Sequence, residues 1–105
     1  MSEAKGYLKA AKQALKDDNP EYCIQLAEDA LKIDPKNYFA FVFIGKSSHL
    51  LQQIDPAIKA YKKAIEVDHD NITAWKGLFL IVSNHNDYKQ FFEFAGDYAE
   101  LLVSL

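Results

Sequence analysis

Arginine is missing from this chain of 105 residues, and all twelve of its basic side chains are lysines. Arginine suits bidentate contact with phosphates and base edges, so its absence weighs against a reader of nucleic-acid sequence. A nonspecific lysine stripe can still touch phosphates. Cysteine is almost as scarce. The lone Cys23 cannot form an intramolecular disulfide, and it has no cysteine partner for a metal centre. Its place is taken by Ala57 later in the chain, so small buried filler is the expectation. Four glycines and three prolines leave little room for disorder and favour a helix-rich chain. No apolar run approaches the roughly 20 residues that span a bilayer, and no charged-then-apolar signal opens the chain. Ser2 stands where N-myristoylation requires glycine. The resulting expectation is no membrane and a reducing cytoplasmic setting, with the nucleus as the other compartment.

What is present is a recurrence. Tyr7, Phe41 and Trp75 are spaced 34 residues apart, and the same interval relates Ala30 to Ala64, Asp34 to Asp68 and Asn37 to Asn71. A 34-residue period with a helix–turn–helix pattern inside it marks the tetratricopeptide repeat. The expected fold is all-α, a single α-solenoid domain over residues 1–105. Its three repeats cover about 4–37, 38–71 and 72–105, six helices in all. Such stacks build binding surfaces and seldom active sites.

The punctuation supports six helices. The first should run over about 3–17. Asn19 and Pro20 then supply a cap and a first-turn proline for a second helix that ends near Ile33. Asn37 caps a third over about 38–51. Asp55 and Pro56 repeat the cap-and-proline device for a fourth that reaches Val67, and a fifth covers about 72–83. Asp87 is placed to cap a sixth. Ala30, Gly45, Ala57 and Ala64 allow close approach, while Phe41, Tyr61 and Trp75 fill the gaps between pairs. The third repeat is degenerate: Phe79, Phe91 and Tyr98 stand where Gly45, Ala57 and Ala64 stood. That bulk predicts altered packing in the last pair.

A narrower likeness rests on particular phrases. Asn37-Tyr38-Phe39-Ala40 with Val42-Phe43-Ile44-Gly45-Lys46, and Ala74-Trp75-Lys76-Gly77-Leu78-Phe79-Leu80, resemble the N-terminal repeats of superkiller (Ski) complex scaffold subunits. Tyr88-Lys89-Gln90-Phe91-Phe92 and Gly96-Asp97-Tyr98-Ala99 are similar as well. The resemblance implies a noncatalytic scaffold segment in cytoplasmic mRNA decay linked to the RNA exosome. Its implied partners are a helicase subunit, a WD-repeat subunit and an exosome adaptor, with no cofactor. The alternative is a free-standing repeat adaptor or cochaperone that binds peptide segments. Repeat cochaperones clamp acidic tails with Lys and Asn, and the matching positions here are Leu8, Lys12, Phe43, Thr73 and Gly77. Only Lys12 fits.

Catalytic patterns do not assemble. Ala40 to Ser47 satisfies a permissive phosphate-loop spacing, yet Phe41, Val42, Phe43 and Ile44 fill it in mid-helix. His49, His69 and His85 lack ligand spacing, no serine occupies a nucleophile elbow, and Asn71 in its glycosylation-like triplet is already a helix cap.

Two surfaces remain as binding candidates. Lys5, Lys9, Lys12 and Lys16 form a stripe along the first helix, and Phe39, Phe43, Lys46 and Leu50 lie on the third. By family geometry both sets face a concave groove, where the lysine stripe suits an acidic peptide or a passing RNA backbone and the third-helix set an apolar or amphipathic segment. RNA contact through the stripe would be weak and steeply dependent on salt. Phe91, Phe92, Phe94 and Tyr98 form a candidate docking surface. The apolar ending at Leu101, Leu102, Val103 and Leu105 predicts self-association through the last helix, or continuation of the natural chain.

Overall fold

The computed structural model describes residues 2–85, and those residues form five α-helices with no strand among them. They are α1 (Ser2–Lys16), α2 (Pro20–Ile33), α3 (Tyr38–Leu50), α4 (Ile54–Val67) and α5 (Ile72–His85). The expected sixth helix lies outside the described residues, as do Phe91, Phe92, Phe94, Tyr98 and the apolar ending.

The turns carry the 34-residue period in their backbone. Among the described residues Asp18 and Gln52 are the non-glycine residues with positive φ, at 60° and 61°. Each stands just past a first helix and closes it with a Schellman motif. After α1, Asn19 N–H donates to Ala14 at 2.8 Å and Asp18 N–H to Leu15 at 3.1 Å. After α3, Gln53 N–H donates to Ser48 at 2.8 Å and Gln52 N–H to His49 at 3.0 Å. The second helices end in matched turns, where Asn37 N–H reaches Asp34 at 3.1 Å and Asn71 N–H reaches Asp68 at 3.3 Å.

The expected caps hold at Asn19 and Asn37, whose side chains accept from Tyr22 N–H and Ala40 N–H. At α4 the expectation is corrected. The helix starts one residue before Asp55, and Gln53 occupies the cap position without a side-chain hydrogen bond. Pro56 therefore sits in the first turn but not at its first position. It is tolerated there because the first four N–H groups of a helix have no partner inside it.

Helix contacts follow from the apolar pattern. α3 touches α1, α2, α4 and α5. That enclosure explains why Tyr38–Leu50 reads as apolar nearly all round, where a surface helix shows one stripe. The backbones of α1 and α5 each come close to α3, whereas those of α2 and α4 stay apart on either side of a depression lined by Leu31 and Lys59. The first helices thus make a closer-packed layer and the second helices a splayed one, which opens a furrow along α1, α3 and α5.

Two packing chemistries hold the pairs. Around α1, α2 and α3 the buried residues are small: Ala11, Ala14, Ala27, Ala30, Ala40 and Cys23, with Leu26. Burial raises the Cys23 thiol pKa, against the opposing pull of the nearby Ser47 hydroxyl and Lys46 ammonium. Around α3, α4 and α5 the core is larger, with Tyr38, Tyr61, Trp75, Leu78 and Ile81. Tyr61 fits because two glycines face it. A Cβ on Gly45 would stand 2.8 Å from its ring, and one on Gly77 closer still. Phe79 stands where Gly45 did but is 43% exposed, so Gly77 provides the close approach in α5. Tyr7 is 37% exposed, whereas Trp75, two periods later, is 1% exposed in the core shared by α3, α4 and α5.

Candidate partner-binding groove

The furrow along the first helices deepens into an open groove of about 560 Å³. Leu15 of α1, Lys46, His49 and Leu50 of α3, and Thr73, Lys76, Gly77 and Leu80 of α5 line it, with Tyr61 at its base. Leu15 stands one residue before the end of α1. Leu50 is 61% exposed and Leu80 54% exposed, two large apolar side chains presented to solvent in one depression. Tyr61 forms the base because Gly45 and Gly77 admit its ring between α3 and α5. Burial pushes its phenol pKa far up, with Tyr38 adding to the shift.

Of the residues expected to face the groove, Lys46 and Leu50 line it. Phe39, the second residue of α3, is half-exposed and stacks edge-on against Tyr38, with ring centroids 5.2 Å apart. Phe43 needs correction as an exposed groove residue. It is partly buried, turned onto Ala11, Ala14, Cys23 and Leu26 on one side and Ala27, Ala30 and Ala40 on the other. The reason is geometric, since the small residues there leave room that only a large side chain from α3 can fill. Lys5, Lys9, Lys12 and Lys16 are all exposed on α1. Lys5 lies apart from the main groove, in a smaller notch beside Ile33, Asp34 and Asn37.

The sequence reading missed Lys76, His49, Thr73 and Leu80 as groove residues, and Leu15, which also packs on the Ala11–Cys23 cluster. The signal was available in the repeat. Leu80 stands one period after Lys46, and His49 one period after Leu15. The irregular third repeat obscured it.

The entrance to α5 is held from outside its own helix. Tyr38 accepts from Ala74 N–H at 2.9 Å and donates to the Asn71 carbonyl at 3.2 Å. Asn71 itself caps Thr73 N–H at 3.1 Å, and Trp75 Nε1 donates to the His69 carbonyl at 3.0 Å. These bonds fix Thr73 and Lys76 at the groove wall. Among the described residues no cluster of three His, Cys, Asp or Glu could hold a metal ion, and no helix is long and apolar enough to cross a membrane. The phosphate-loop-like Gly45 is mid-helix against Tyr61, so its neighbours' N–H groups serve the helix.

No protein-family model matches the chain. Its similarity to particular proteins is nonetheless extensive. It is 36% identical to superkiller protein 3 of Saccharomyces cerevisiae over 98% of its own length and 8% of that protein. It is 35% identical to superkiller complex protein 3 of Homo sapiens over 95% of its length and 6% of that protein. It is 36% identical to tetratricopeptide repeat protein 37 of Xenopus laevis over 84% of its length and 6% of that protein. The chain thus spans less than a tenth of the relatives it matches. Along most of its length it resembles superkiller protein 3 and tetratricopeptide repeat protein 37.

Proposed function

We propose that this tetratricopeptide-repeat chain is a noncatalytic scaffold segment that holds protein partners in a superkiller-type assembly. The observation that carries the reading is likeness to superkiller protein 3 along 98% of the chain. A groove with apolar side chains on its floor and no assembled catalytic group is consistent with holding and not turnover. In this reading the helix pairs belong to an α-solenoid. The segment corresponds to the N-terminal repeats of the scaffold. Its partners are the helicase subunit, the WD-repeat subunit and the exosome adaptor, and its setting is exosome-linked mRNA decay in the cytoplasm.

The test is co-purification of the full chain with the helicase subunit and the exosome adaptor, each expressed separately. Retention of either at equimolar amounts is expected. Retention of neither would remove the assembly-specific part of the reading.

A further inference from the structure

Charge is sorted between the two layers of helices. The first helices, α1, α3 and α5, carry six lysines against one carboxylate, Glu3. The second helices, α2 and α4, carry five carboxylates and four lysines. A chain of net charge −3 therefore turns a positive face to one side. The groove lies on that face. Among the described residues no carboxylate lines it, Lys46 and Lys76 stand on adjacent helices, and Leu15, Leu50 and Leu80 supply apolar surface between them.

The two chemistries together define an occupant. Exposed leucines gain only when apolar side chains cover them, and the lysines gain only from negative charge. Single-stranded RNA would bring the charge, but it stacks its bases on exposed aromatic faces. Of the two rings lining this groove Tyr61 is only 2% exposed, which leaves the partly buried His49 imidazole as a single platform where a run of bases needs several. A protein segment is the better match. Nor is the groove built to grip a chain terminus. Phe43 is packed into the core and Gly77 lies against Tyr61, so neither offers a polar group at positions where a terminal-carboxylate clamp needs one.

We infer that the groove binds an internal acidic segment of a partner protein, with leucine- or phenylalanine-type side chains on Leu15, Leu50 and Leu80 and carboxylates at Lys46 and Lys76. This rests on the scaffold reading and adds the chemical class of the partner and the residues that read it. Long-range attraction from the lysine face steers the segment in, and the leucines hold it.

Fluorescence anisotropy tests it with two amphipathic peptides of 16 residues, identical in their leucines, one carrying Glu and the other Lys at the polar positions. Each is made with a free and an amidated C-terminus. The full chain should prefer the Glu peptide by about tenfold or more, equally in free and amidated forms. Lys46→Glu with Lys76→Glu should remove the preference, and Leu50→Asp with Leu80→Asp should weaken binding by about tenfold. All four positions are exposed or groove-facing, so unchanged helical circular dichroism separates binding loss from unfolding. No preference for the Glu peptide, a requirement for the free terminus, or displacement by equimolar oligouridylate would overturn the inference. Partner co-purification distinguishes the two readings. Capture that survives Lys46→Glu with Lys76→Glu overturns the groove assignment alone. Glu-peptide binding by a chain that captures neither partner overturns the scaffold reading alone.

Discussion

The α1–α2–α3 seam and the α3–α4–α5 seam solve one packing problem with opposite materials. The first brings backbones together on alanines and Cys23, and lets Phe43 plug the remaining space. The second keeps its helices apart with Tyr61 and Trp75, and relieves the crowding with Gly45 and Gly77. The difference extends to the helix entrances. At α3 the third N–H, from Ala40, is capped locally by Asn37. At α5 the equivalent N–H, from Ala74, is capped by the Tyr38 hydroxyl of another helix. The repeat explains why. Ala4 stands one period before Tyr38 and has no hydroxyl to offer, so α3 depends on its own asparagine. A seam of small residues can remain self-contained, whereas a seam of large ones ties each helix to its neighbour.

If that contrast is right, truncation should hurt the second seam and enlargement the first. Trp75→Ala should be the most damaging single change, costing about 3–5 kcal/mol in urea denaturation, because it empties a 1%-exposed site and drops the bond to His69. Ala30→Leu should cost about 1–3 kcal/mol, since that position is fully buried with no gap to accept a side chain. Gly77→Ala should cost about 1–2 kcal/mol despite alanine's higher helix propensity, because its Cβ meets the Tyr61 ring. In a Tyr61→Leu background the same change should become neutral or stabilising. A persisting cost there would mean that the ring is not what sets the fit.

Tyr38→Phe should cost about 1–2 kcal/mol by leaving the Ala74 N–H uncapped, while Phe39→Leu, one residue on, changes stability little. The phenols add a pH signature confined to the second seam. Burial raises the folded pKa of both Tyr38 and Tyr61. The stability they contribute is therefore complete below the unfolded tyrosine value of about 10 and is lost as pH rises beyond it. Thermal melts of Tyr38→Phe with Tyr61→Phe should decline less steeply above that pH than those of the parent chain. The smallest effect is expected at Gln52→Gly, where relief of the positive φ stabilises by about 0.5 kcal/mol after the entropy cost of glycine. Asp18→Gly, one period earlier, should match it, and a large difference would show that the two turns are not equivalent.

Much of the helical framework was legible because it rests on local chemistry. Asn19 and Asn37 mark helix starts through their own side chains, and the 34-residue interval recurs in the backbone at Asp18 and Gln52. The start of α4 was misplaced because Asp55-Pro56 is a strong pattern that did not decide the boundary. Gln53 occupies the cap without making the side-chain bond that would identify it. The groove was only half legible. Lys46 and Leu50 were found from helical spacing, but Phe43 has the same spacing and turns inward. Periodicity places a residue on a face and does not say whether a neighbouring helix leaves a hole for it.

Composition and period alone determined that this chain forms helices in look-alike pairs, because caps, turns and side-chain spacing act within a few residues. Tertiary packing decided which aromatic is core and which is surface, that Tyr38 caps a helix 36 residues away, and that leucines and lysines from three helices meet in one groove. Those outcomes depend on the volume left between helices, a quantity set by both partners at once and written in neither stretch of sequence by itself.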